Sequence, residues 1–231
     1  MARANKKLIL FDIDGTLLLT GGAGKLAFER VFEELFGLKG AWFDVHPDGR
    51  TDPSLIDELF EKNLKRKPKG LERKKVQECY ESAMASALQE AKNFRLMPGI
   101  RQLLAILEER GWGMLGLATG NFEKTAYQKI HHAGLKDFFT FGGFGSDHAD
   151  RLHLTKLAME RGFAKLGKRL SPEDVVLVGD TIHDIRCGRL LDMTTLAVAT
   201  GSTRLQALAE ARPDYLFPNL EPDEALLSIF E

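Results

Sequence analysis

The chain has 231 residues, of which 44% are apolar and 28% charged, and its formal net charge is −1. That length accommodates one well-buried α/β domain plus a modest second module, and is short for two full enzyme domains. So little net charge argues against a chain that holds nucleic acid or an anionic membrane by bulk attraction. The two cysteines, Cys79 and Cys187, have no CxxC spacing, which points to a reducing compartment and no structural zinc. The first apolar run, Leu8 to Phe11, is short and leads straight into Asp12, so it does not read as a secretory signal. No stretch approaches the roughly 18 apolar residues of a membrane helix. The expected address is the cytoplasm.

In chain order, Leu8 to Ile13 reads as a buried strand, with Asp14-Gly15-Thr16 as a break. The segment 21–96 then carries helical patterns and no convincing strand. Phe28, Val31, Phe32, Leu35 and Phe36 form one stripe. Leu55, Ile56, Leu59 and Phe60 form a second, behind an Asp52 cap with Pro53 at the first helical position. Val76, Tyr80, Met84, Ala87 and Leu88 belong to a third. This is expected to be a helical insert, with hinges at Gly21 to Gly24 and at Met97-Pro98-Gly99. After it, apolar runs at Met114–Ala118, Phe138–Phe144, Val175–Val178 and Thr195–Val198 alternate with helical patterns. These include Ile100, Leu103, Leu104 and Leu107, then Leu152 to Leu166, then Ile182 to Leu191. Alternating strands and helices predict an α/β fold, a Rossmann-like parallel sheet covered on both faces. The expected division is a core of 1–20 and 97–231 and a helical cap of 21–96.

Ligands of such sheets bind at the carboxyl ends of the strands. Asp12 and Asp14 lie two apart at the first strand end, so an extended chain presents both carboxylates to one spot. One can act as a nucleophile, the other as an acid–base. The second strand ends in Thr119-Gly120-Asn121, where a hydroxyl and the N–H groups of a helix start suit phosphate oxygens. The fourth run ends in Gly179-Asp180-Thr181-Ile182-His183-Asp184, supplying two more carboxylates. Four carboxylates around a phosphate call for a hard cation such as Mg²⁺.

The ordered set Asp12 to Thr16, Thr119 and Gly179 to Asp184 resembles the fingerprint of the haloacid dehalogenase superfamily, across essentially the whole chain. The helical insert is similar to the small cap of its phosphoglycolate-phosphatase-like branch. The resemblance implies Asp12 as nucleophile and Mg²⁺ ligand, and Asp14 as acid–base with its carbonyl on the metal. It implies Thr119 as holder of the phosphoryl group, Asp180 as a direct Mg²⁺ ligand, and Asp184 as a ligand of the ion or its waters. Dehalogenases of the family lack the second aspartate, so Asp14 argues against that reaction. The family's third motif usually supplies Lys. Here Arg151 is the favoured cation, because it sits at a loop-to-helix junction where its fork of donors can grip oxygens, and Lys156 is the rival; five helical positions turn by about 140°, so the two do not both face the site.

In the insert, Gly49-Arg50-Thr51-Asp52 is similar to a stretch found in the branch, and Arg50 is a candidate for binding an anionic substrate. The run from Lys62 to Lys75 holds eight basic residues against one Glu and reads as a solvated interhelical loop. Asp147, His148, Asp150 and His153 fit no standard zinc pattern and read as a polar rim. The expectation is a Mg²⁺-dependent phosphatase of small phosphorylated metabolites working through an aspartyl-phosphate. A sugar-phosphate mutase and an inert binding protein on the same fold are the alternatives. Oligomeric state is not encoded in any pattern.

Overall fold

The computed structural model describes residues 7–231. The chain begins with β1 (Lys7–Phe11) and β2 (Leu18–Leu19), then α1 (Ala23–Phe36), α2 (Asp52–Leu64), α3 (Glu72–Glu90) and β3 (Arg95–Leu96). It continues through α4 (Ile100–Arg110), β4 (Gly113–Thr119), α5 (Glu123–His132), β5 (Gly142–Phe144) and α6 (Arg151–Leu166). Next come β6 (Val175–Gly179), α7 (Ile182–Leu190), β7 (Thr194–Val198), α8 (Leu205–Glu210), β8 (Tyr215–Phe217) and α9 (Glu224–Ser228). Six strands form a parallel sheet in the order β5-β4-β1-β6-β7-β8.

The continuous apolar sequence of β1 follows from burial on both faces. Ile9 and Phe11 pack with residues of α4, α5 and α9, whereas Leu8 and Leu10 pack with residues of α6 and α7. Each such side chain, fully withdrawn from water, contributes about 1.5–3 kcal/mol. The central strand is thereby pinned, and its carboxyl end lies between those of β4 and β6. The chain runs outward from β1 in one direction to β5, then returns to build β6, β7 and β8 on the other side. Such a reversal of strand order leaves a crevice at the strand ends.

The three helices between β2 and β3 have their own interior, centred on Phe28, Phe32, Phe60 and Tyr80. Phe28 stacks on Tyr80 with ring centres 3.9 Å apart. Phe122 of the loop after β4 also joins this cluster. The segment 21–96 is not free of strand. Arg95 and Leu96 pair antiparallel with Leu19 and Leu18, so exit and return lie side by side. Two-residue strands are too short to show a period.

Three local differences from the sequence reading have simple causes. Thr51, not Asp52, caps α2: its hydroxyl accepts from Ser54 N–H, and Ser54 reciprocates to the Thr51 N–H. The run at Phe138–Phe144 is a strand only over Gly142–Phe144, because Lys136–Phe138 forms a 3₁₀ turn. The edge strand β8 is too short and too exposed to give an alternating pattern. No helix among the described residues is long and apolar enough to cross a membrane.

Candidate active site

The turn after β1 aims the first two carboxylates. Asp12 N–H continues the sheet ladder by donating to Val178 C=O at 3.0 Å. The chain then folds back, with the N–H groups of Leu17 and Leu18 both donating to Ile13 C=O. Gly15 permits this at φ +88°, and a Cβ there would overlap the Asp180 carboxylate. Gly201, from the loop after β7, makes an equally close approach to Asp180. Backbone thus recedes on two sides to admit one carboxylate.

Asp12, Asp180 and Asp184 are all buried, and each offers an oxygen within 4.8 Å of the others. Burial raises the pKa of Asp180 to about 8, helped by the charges of Asp12 and Asp184 and opposed by the Thr16 hydroxyl, which donates at 2.9 Å. Burial likewise lifts Asp12 to about 6, with Arg151 opposing and Asp184 and Asp14 adding. The Arg151 side chain is 9% exposed. Burial disfavours its charge, yet Asp12 and Asp184 outweigh that and its pKa is raised. Its guanidinium reaches Asp12 at 2.9 Å and donates twice to Asp184 Oδ1, at 2.6 and 2.9 Å. The other Asp184 oxygen completes the α7 capping box, accepting from the Thr181 hydroxyl at 2.6 Å and its N–H at 3.1 Å. Three converging hard oxygen donors against one buried cation are the donor chemistry of a divalent oxophilic ion, and the residues fit Mg²⁺.

Asp12, Arg151, Asp180 and Thr181 line a cavity of about 210 Å³ together with Asp14, Thr119, Gly120 and Asn121, while Asp184 meets it through Arg151. Of the two candidate third-motif cations, Arg151 lines it and Lys156 does not. Lys156 is exposed on α6, five positions away on a different helical face, and so does not serve as the rival cation or as a group that binds substrate in this cavity. Arg50 lines the cavity from the insert side. Its guanidinium is paired with Glu58 and donates to Ser54 C=O at 3.1 Å. None of the basic residues from Lys62 to Lys75 lines the cavity. Arg66 and Arg73 instead pair with Glu72 and Asp57. His148 and His153 stack 4.3 Å apart outside the cavity, and Asp147 is held by Arg161.

The residue that sequence reasoning missed is Lys129. It sits on α5, its side chain is 5% exposed, and it lines the cavity. Its ammonium contacts Asp14 Oδ2 at 2.7 Å, Asp14 Oδ1 at 2.9 Å and Asn121 Oδ1 at 2.5 Å. A signal existed. Thr125, Ala126, Lys129 and Ile130 are the buried positions of α5, so a lysine occupies a place in an apolar stripe. Asp52 was likewise read only as a cap. Its carboxylate instead accepts from Phe122 N–H at 2.8 Å, and burial raises its pKa to about 6 against the opposing charge of Lys129.

A parallel sheet with this crevice, with paired aspartates after its central strand, defines an α/β hydrolase of the haloacid dehalogenase-like kind. Residues 6–192 match that family, haloacid dehalogenase-like hydrolase, and the chain belongs to it. Pyrophosphatase PpaX of Oceanobacillus iheyensis is 26% identical over 217 residues, 93% of this chain and 94% of that one. Phosphoglycolate phosphatase of Nitrosococcus oceani is 22% identical over 227 residues, 96% of each chain. In fold, the chain is similar to a solved structure from Haemophilus somnus described as a predicted phosphoglycolate phosphatase. Its TM-score is 0.73, with 19% identity and 98% of each chain covered.

Proposed function

We propose that the protein is a Mg²⁺-dependent phosphatase of small phosphorylated metabolites, acting through an aspartyl-phosphate at Asp12. The observation that carries this reading is the convergence of Asp12, Asp180 and Asp184 beside Arg151, with Asp12, Asp180 and Arg151 lining one cavity with Thr119. A carboxylate at Asp12 attacks phosphorus, the ester P–O bond breaks, and the leaving oxygen takes a proton from Asp14. Asp14 then accepts a proton from water, whose oxygen attacks phosphorus. The bond to Asp12 breaks and inorganic phosphate departs. Thr119 holds a phosphoryl oxygen, and Arg151 keeps Asp12 aligned. Asp12, Asp180 and the Asp14 carbonyl, with Asp184 behind them, would hold Mg²⁺, which would supply positive charge against the transferring group.

The segment 21–96 acts as a cap that closes over the substrate, with Arg50 facing the leaving group. The Asp14 side chain is 41% exposed, which leaves room for water and favours hydrolysis over phosphoryl return to a sugar. The relatives named above are a pyrophosphatase and a phosphoglycolate phosphatase, so small phosphate esters and anhydrides form the first substrate panel. Both cysteines are free, in keeping with a reducing cytoplasm.

The test is phosphate release from 4-nitrophenyl phosphate and a metabolite-phosphate panel, with Mg²⁺ and with chelator. Turnover should require the metal and be lost in Asp12→Asn. An Asp12→Asn protein that still releases phosphate at the wild-type rate removes the nucleophile assignment.

A further inference from the structure

Lys129 has no part in the scheme just given, yet it is among the most completely enclosed cations in the cavity. A lysine side chain is seldom buried unless its charge is matched. Here the match is specific. Its ammonium lies against both oxygens of Asp14, and its third contact is the Asn121 carbonyl oxygen. Lysine has only protons to offer, so Asn121 must turn its oxygen toward Lys129 and its amide nitrogen the other way. That nitrogen donates to Asp14 Oδ2 at 2.8 Å and to Thr119 Oγ1 at 2.7 Å. Lys129 thereby fixes the orientation of an amide that ties Asp14 to Thr119. These two residues arise from different strands, 105 positions apart in sequence.

We propose that Lys129 is the positioning residue of the acid–base Asp14, acting directly and through Asn121. This rests on the phosphatase reading above. The clamp holds the plane of the Asp14 carboxyl group at a fixed place relative to the phosphoryl-holding Thr119. The carboxylate left when Asp14 gives its proton to the leaving oxygen finds its donors already in place. When the same carboxylate takes a proton from the attacking water, it does so from that fixed position. The attack by Asp12 itself does not pass through the clamp, because the cation that holds Asp12 is Arg151 and the contacts of Lys129 go to Asp14 and Asn121.

The expected signature is sensitivity to the leaving group. A nitrophenolate leaves without protonation, whereas an alkoxide does not. Lys129→Met should therefore lose about tenfold or more additional kcat on an alkyl phosphate than on 4-nitrophenyl phosphate, with KM little changed. On 4-nitrophenyl phosphate, where water activation becomes limiting, acid-quenched protein should carry more covalent phosphate than wild type. Asn121→Ala, which removes one donor from Asp14 and leaves Lys129 in place, should show the same pattern, and it carries the test if Lys129→Met does not fold. Equal losses on both substrates, or no loss, overturn the role of Lys129 while leaving an active wild type intact. A wild type that hydrolyses neither ester with Mg²⁺ overturns the phosphatase reading, and the inference with it.

Discussion

At the carboxyl end of the sheet, Asp12, Asp180, Asp184 and Arg151 are each no more than 9% exposed. In the helical insert, positions buried just as deeply are Phe28, Phe32, Phe60 and Tyr80. In the insert, removal from water is itself the source of stability, and aromatic edges and faces add to it, as where Phe32 meets Phe60 at 5.6 Å. At the sheet end, the same removal raises the pKa of Asp180 and of Asp12, and Arg151 opposes it only in part. The insert's interior is built for stability. The crevice gives up some of that stability to hold a cluster of carboxylates in one place.

The sharpest way to break this contrast is one substitution on each side. Asp180→Asn removes one of three converging carboxylates. Mg²⁺-dependent turnover should fall by about 10³-fold or more, while the melting temperature in chelator rises. A variant that melts lower in chelator would show that the carboxylate cluster stabilises the fold, contrary to the comparison. Phe32→Ala should do the reverse. It should cost about 3–5 kcal/mol of stability in a denaturant titration, while the folded protein at low temperature keeps most of its kcat.

The smallest effect sits where the two regions meet. Asp52 belongs to the insert by sequence, but its carboxylate is bonded to the core at Phe122. Its folded pKa of about 6 lies above that of an ordinary aspartate. The folded state therefore holds the proton longer than the unfolded one. The associated stability is present in full below about pH 4 and is lost as pH rises through about 6. Asp52→Asn should flatten that part of the stability profile, by roughly 2 kcal/mol between pH 4 and 7. Parallel profiles for variant and wild type would remove Asp52 from the account.

Much of this was legible in the sequence, for physical reasons that differ by residue. Asp12, Asp14, Thr119, Asp180 and Asp184 follow short apolar runs, and a parallel sheet gathers the ends of such runs into one place. Arg151 was readable from its position at a loop-to-helix junction, where a guanidinium can reach the strand ends. Lys129 left only the faint signal of a lysine beside Ala126 and Ile130, since it lies ten residues past Thr119 on a mostly polar helix and its meaning depends on the rotation of that helix against β1. The β2–β3 pair also escaped, because two residues per strand show no alternation. The capping of α2 was displaced by one residue because Asp52 had a tertiary partner that local sequence does not reveal.

The contact between Gly120 and the Arg50–Thr51 backbone has a consequence for motion. A Cβ on Gly120 would collide with the Arg50 carbonyl, so the two chains meet with no side chain between them. Along the same seam, Asp52 N–H donates to Gly120 C=O at 2.8 Å, the Thr51 hydroxyl donates to Ala149 C=O at 2.8 Å, and Asp52 receives Phe122 N–H. These bonds join one short stretch of the insert to three points of the core. Each is worth about 1 kcal/mol, so any separation of the insert from the sheet has to break this seam, and its bonds weigh toward a mouth that stays closed.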